Sequence, residues 1–346
     1  MRSSILGFLV SVAAACSSQP APLTDATQLS CPNPGGLPFR MESSGFQKSS
    51  NATLVQKDTR VKDEASDTIG NPGGPYASIY LDGSASPTTA PIDYHGIKAV
   101  TGSDQGIEQT PITGEWVSAW YYDTGGSDWV SLGRTMTGGD GSYDLPDTSY
   151  TAPNGSPVYT MLEANGTCAA SYDMLLPAGS KVVVADIDGT LTLSDQEFLT
   201  QLSDVTYVPM MMGAANTLMQ TWSMKGYPIV YLTARANEFR AETAEWLNQD
   251  SFPIGATITG ADSNSSDAQA YKTVWMQRMV TDFGWNVVAA YGNMDSDIGA
   301  YQAVSIPNSQ IFIVGPYGGD LGSTAIPNMD FSSHITSYVD AQPDND

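Results

Sequence analysis

The chain has 346 residues, with 37 acidic against 14 basic side chains and a formal net charge of −23. This length exceeds a usual single domain and predicts two folded units plus a tail, and a content of 41% hydrophobic residues is enough for ordinary cores. The acidic balance argues against nucleic acid as a partner and against unaided docking on anionic lipid, and it favours solubility and cation binding.

Residues 1–16, MRSSILGFLVSVAAAC, have one basic residue, an apolar stretch from Ile5 to Val12 and small residues before Cys16. That is the layout of a secretory signal peptide, too short to span a membrane, and no other segment reads as transmembrane. Ala13-Ala14-Ala15 fits ordinary cleavage, while small residues directly before a cysteine resemble a bacterial lipoprotein signal with Cys16 lipidated. The expected localisation is therefore exported, either secreted or as a cell-envelope lipoprotein. Once Cys16 is lipidated or removed, Cys31 and Cys168 remain as a pair that can form a disulfide or stay as two thiols. His95 and His334 have no close partner for a zinc site and read as surface or turn residues.

Residues 17–75 are rich in Ser, Pro, Gly, Asn and Thr with little periodicity, and predict a flexible tether. Residues 76–178 carry short alternating runs such as GEWVSAWYYDTGG and SPVYTMLEANG between turn signals, and predict a small antiparallel β-sandwich. Within it, Asp140-Gly-Ser-Tyr-Asp144 reads as a polar hairpin turn or a calcium loop. From Lys181 the rhythm becomes strand then helix: KVVVADIDG, Ala214 to Met224, YPIVYLTAR, NEFRAETAEWLNQ, AYKTVWMQRMVTDFG, NVVAAYGN, SDIGAYQAV and QIFIVGP. Continuous apolar strands between amphipathic helices predict an α/β domain over residues 179–340, a doubly wound parallel sheet covered on both faces. Met210-Met-Met212 reads as packing or as a lipid-contacting patch.

In such sheets ligands sit at the carboxyl ends of the strands. The residues able to do chemistry fall there: Asp186 and Asp188 after the first strand, Thr233 after YPIVYL, and Asn293 with Asp297 after NVVAAY. Lys272 starts the helix before the last of these strands. Two carboxylates one residue apart repel each other unless a cation or a reaction compensates. Asp186 suits a nucleophile and Asp188 a general acid and base. Gly189 and Thr190 shape a phosphate-binding turn, with Gly189 allowing close backbone approach. Thr233 and Lys272 suit stabilisation of phosphate oxygens. Asp186, the Asp188 carbonyl and Asn293 are hard oxygen ligands suited to Mg2+; Asp297 is a direct, water-mediated or more remote partner, and Asp295 competes with it.

DIDGTLTLSD, GYPIVYLTARA, YKTVWMQ and YGNMDSDIGAYQAVSIPNSQIFIV resemble the four motifs of haloacid-dehalogenase-like phosphohydrolases, and more narrowly the catalytic domain of lipin-type phosphatidate phosphatases and related bacterial proteins. The resemblance spans Lys181 to roughly Gly319. It implies an immunoglobulin-like element beside the catalytic domain, in agreement with residues 76–178. It also implies a magnesium-dependent phosphatase that converts phosphatidate to diacylglycerol and phosphate through an aspartyl-phosphate. Alternatives are a phosphatase of a soluble phosphomonoester and a noncatalytic phospholipid-binding or surface module, since related domains of some lipid-transfer proteins share the fold and lack the acidic pair. The 76–178 region is also open to a role in binding a partner or the cell surface.

Overall fold

The computed structural model describes residues 61–65, 67–78, 94–102, 109–145, 152, 155–163, 168–204, 207–236, 239–260 and 268–345. The signal segment 1–16, Cys31 and the tether up to residue 60 lie outside the described residues.

Two β-sheets form the first part. One joins β1 (Val61–Ala65), β4 (Tyr94–Gly102) and β5 (Gln109–Pro111), with β8 (Tyr143–Leu145) also on β4. The other runs in the order β3 (Tyr76–Ser78), β2 (Thr68–Gly70), β10 (Cys168–Leu175), β9 (Pro157–Leu162), β6 (Trp116–Asp123) and β7 (Asp128–Met136). Ile112, Val117, Tyr143 and Leu162 are buried together, as are Ala119, Leu132, Leu145 and Val158. Two details differ from the sequence reading. β1 and β2 fall inside the stretch expected to be tether, because VKDEA and TIG are too short to show a period; both join backbone ladders, and Ile69 is buried in the core. The pairing is also not purely antiparallel, since β2 runs parallel to β10. Asp140 accepts from the Ser142 amide at 3.1 Å and the Ser142 hydroxyl at 2.6 Å, the bonding of a polar turn. Cys168 is disulfide-bonded.

The second part is a parallel sheet in the order β13 (Ala256–Gly260), β12 (Ile229–Ala236), β11 (Lys181–Ala185), β14 (Asn286–Gly292), β15 (Ile311–Val314) and β16 (Thr324–Ile326). Strand alternation splits the core: Val182 and Val184 face one side with Trp275, Met276 and Ile298, and Val183 and Ala185 face the other with Leu218, Trp222 and Trp246. The covering helices are α1 (Gln196–Ser203), α2 (Ala215–Met224), α3 (Arg240–Gln249), α4 (Ala268–Gln277) and α5 (Asp295–Ala303). The α/β architecture is thus as the pattern from Lys181 indicates. β13 and β16 escaped the pattern because they are short and lean on Thr and Ala; α1 escaped because most of its eight residues are polar. After β13 the chain crosses back over β11 to β14, which makes the tip of β11 the switch point where ligands bind. Met212 is buried and Met210 exposed, so the three methionines divide between packing and solvent. His334 is buried, contrary to the surface reading, with its Nε2 3.0 Å from the Tyr291 hydroxyl, which accepts from Trp222 Nε1 at 2.8 Å.

The two parts meet through an apolar seam, where Ile69, Ala77 and Met174 share a buried cluster with Val182, Val184 and Trp285, and through a carboxylate. Asp67 accepts from the Tyr172 amide in β10 at 2.7 Å and from the Thr257 amide in β13 at 2.8 Å. Arg240 of α3 pairs with the same carboxylate and donates to the Thr257 carbonyl at 2.5 Å. Thr257 lies on the edge strand, so Asp67 and Arg240 cover an edge that would otherwise invite pairing with another chain. Beside Asp67, the buried Asp173 carboxyl is pushed up to about 7, first by burial and then by Asp67, against the Thr68 hydroxyl. The folded state therefore holds a proton that the unfolded chain releases near 3.8, and the stabilisation present at acid pH is lost as pH rises through about 7. Urea denaturation of Asp173→Asn should show a flatter loss of stability between about pH 4 and about pH 7, and higher stability than the parent above that range. Identical pH profiles for both proteins would assign the proton elsewhere.

Candidate functional site

The turn after β11 places Asp186 and Asp188 on opposite partners. Lys272 Nζ, from α4, donates to Asp186 Oδ1 at 2.7 Å and to Asp297 Oδ1 at 2.5 Å. All three groups are almost wholly buried, so the ammonium and carboxylates meet out of water. Burial pushes the Asp186 carboxyl up against the pull of Lys272, with Asp297 and Asp188 adding to the rise. Burial pulls Lys272 down, and its two carboxylates more than reverse this, so it stays charged. Thr190 donates to Asp186 Oδ2 at 2.9 Å, and its hydroxyl lies 3.4 Å from Asn293 Oδ1.

Asp188 turns the other way. Arg235 grips it as a fork, Nη2 to Oδ1 at 2.8 Å and Nε to Oδ2 at 2.9 Å, and Thr233 Oγ1 stands 3.5 Å from Oδ2. Arg235 is a residue that sequence reasoning passed over. The signal was present: Thr233 and Arg235 are two apart on a strand and so point to one side. Asp195, at the start of α1, also joins the site, with Oδ1 3.4 Å from Asn293 Nδ2.

The structure brings Asp186, Asp188, Gly189, Thr190, Thr233, Lys272, Asn293 and Asp297 together at the strand ends. Asp297 spends Oδ2 on the Asn293 and Met294 amides, each at 3.0 Å, and Oδ1 on Lys272, which leaves it as an anchor for the Asn293 loop rather than a direct metal ligand. The Gly189 amide donates to Thr192 Oγ1 at 3.0 Å, so that N–H serves the turn itself. Asp295 begins α5 at the helix surface.

Among the described residues no cluster of three His, Cys, Asp or Glu forms a metal cage. Charge and donor chemistry nevertheless fit a hard divalent ion. Three carboxylates, Asp186, Asp188 and Asp297, face two cations, Lys272 and Arg235, and the oxygens of Asp186 and Asn293 gather around one hydroxyl.

The fold and this crevice define a parallel α/β domain with an acidic, lysine-bearing site at its switch point. Residues 183–315 match a family model described as PITM 1-3, LNS2 domain. LNS2 domains are related to haloacid-dehalogenase-like phosphatases, which supports the lipin-type resemblance at that level. Protein retinal degeneration B of Drosophila melanogaster is 30% identical over 216 residues, 62% of this chain and 16% of that protein. Membrane-associated phosphatidylinositol transfer protein 3 of Homo sapiens is 31% identical over 189 residues, 54% of this chain and 18% of that protein. The chain thus spans less than a fifth of these relatives, and they are animal proteins, so the bacterial affinity gains no support from them. A chain of a solved RNA repair complex overlaps 39% of this chain at 14% identity with a TM-score of 0.32, too loose a likeness to argue from. Among the described residues no helix is long and apolar enough to cross a membrane.

Gly189 sits at φ +68°, and a Cβ there would stand 2.0 Å from Asn293 Nδ2 and 2.8 Å from Asp195 Oδ1. Gly189→Ala should therefore displace Asn293, cost at least the ~1–2 kcal/mol of a left-handed non-glycine residue and so lower the thermal midpoint. An unchanged midpoint in calorimetry, with ligand binding intact, would show that the turn relaxes freely.

Proposed function

We propose that the crevice binds the phosphomonoester headgroup of a phospholipid and that Asp186 and Asp188 hydrolyse it. The observation that carries this reading is the buried Lys272 clasped by Asp186 at the switch point, with Asp188 two residues away on a separate partner. Asp186 Oδ2 attacks phosphorus, the ester P–O bond breaks, and Asp188 protonates the departing oxygen. Water then attacks the aspartyl-phosphate, Asp188 takes its proton, and phosphate leaves with Asp186 restored. Lys272, Thr233 and Thr190 hold phosphate oxygens, and Asp297 fixes the Asn293 loop. Mg2+ held by Asp186, the Asp188 carbonyl and Asn293 would offset phosphate charge. Phosphatidate is the first substrate to test, on the strength of the lipin resemblance, with a lipid on Cys16 as the means of reaching a membrane.

A second reading is a noncatalytic phospholipid-binding module. The phosphatidylinositol transfer proteins among the relatives favour it, as does Asp188 being gripped as a carboxylate by Arg235.

Phosphate release from short-chain phosphatidate and from soluble phosphomonoesters, with magnesium or chelator, separates these. Magnesium-dependent turnover of phosphatidate that falls at least ~100-fold in Asp188→Asn is expected. Turnover of soluble esters alone would discard the lipid; binding of phosphatidate without release would make the module reading correct.

A further inference from the structure

Arg235 is fixed on three sides. Its fork holds Asp188, its Nη1 donates to Thr243 Oγ1 at 3.2 Å, and its guanidinium carbon lies 4.3 Å over the ring of Phe198. Phe198 comes from α1, the helix that leaves the catalytic turn, and its ring packs edge-on against Phe239 at 5.3 Å. The Arg235 side chain is 1% exposed and that of Asp188 21%, so the guanidinium is dry while the carboxylate opens to the crevice.

We propose that Phe198 is a positioning residue for Asp188, acting through Arg235, so that the packing of α1 sets the acid's aim; this rests on the hydrolytic reading above. Hydrogen bonds hold a guanidinium within its own plane, and they resist rotation out of that plane poorly. A ring against its face closes that direction, and desolvation strengthens the attraction. A carboxylate two-pronged on that guanidinium inherits its orientation. The ring of Phe198 meets Arg235 and Phe239, so removing it should disturb proton transfer to the leaving oxygen and leave ground-state phosphate binding alone. Thr243, whose hydroxyl donates to the Phe239 carbonyl at 2.8 Å, keeps the opposite edge in place, and Phe198 can be altered without breaking a hydrogen bond to the guanidinium.

The test is steady-state hydrolysis of short-chain phosphatidate with magnesium by the full chain and by Phe198→Leu, Phe198→Tyr, Arg235→Lys and the double variant Phe198→Leu/Arg235→Lys. The expected result is about a ten-fold fall in kcat for Phe198→Leu with KM unchanged, recovery in Phe198→Tyr, and no further loss on adding Phe198→Leu to Arg235→Lys. Arg235→Lys removes the fork and should itself lower kcat. Unchanged kcat in Phe198→Leu, or a fall in kcat that Phe198→Tyr shares or that adds fully to Arg235→Lys, overturns the coupling while leaving the phosphatase intact. An inactive parent chain overturns the hydrolytic reading, and this inference with it.

Discussion

The ammonium of Lys272 between Asp186 and Asp297 is the contact on which the α/β domain's site depends. A carboxylate at the tip of a buried strand is costly unless paired, and a lysine buried alone would lose its charge. Together they impose a geometry: α4 must bring Lys272 under β11, and α5 must bring Asp297 beside it. Asp297 then carries the constraint onward, because its second oxygen gathers the Asn293 and Met294 amides and thereby fixes Asn293 over Gly189. The charge of one lysine so orders both sides of the crevice.

A comparable economy operates at the far edge of the sheet. Asp67 reaches across 190 residues of sequence to the Thr257 amide, while Arg240 takes both the Asp67 carboxylate and the Thr257 carbonyl. The first part of the chain is therefore fastened to the domain at the edge strand, two strands from the switch point, by a polar staple that stands beside an apolar seam in which Ile69, Ala77 and Met174 share a buried cluster with residues of the sheet and its helices. Asp173 beside it is buried next to the Asp67 carboxylate, which is why its proton matters to the joint.

What the sequence disclosed follows from periodicity and chemistry. Four apolar residues running into Asp-Ile-Asp-Gly announce a buried strand with a charged tip, and each motif after it stands at a strand end or a helix start. Long-range partners are different. Nothing local distinguishes Asp67 from the other acids around it, since its role comes from Thr257 and Arg240. Arg235 was visible only to someone asking which side of the strand Thr233 faces, and Asp297 looked like a ligand because residue spacing says nothing about how its two oxygens are already spent. Short strands such as ATITG lack the apolar run that marks β11, and only the neighbouring strand explains them.

The hydrolytic and binding readings differ in what Asp188 does, not in where it sits. Held by a guanidinium, its oxygens already accept two charge-assisted hydrogen bonds. To act as an acid it must loosen from Arg235 as negative charge builds on the leaving oxygen, and a phosphate entering beside it gives Arg235 another anion to face. The same ion pair therefore serves as a resting clasp in a binding module and as a charge exchange in an enzyme. With a net charge of −23 on the chain, Lys272 and Arg235 are local exceptions set inside the crevice. Their pull on an anion acts only at short range, because the field of so acidic a chain repels anions at a distance.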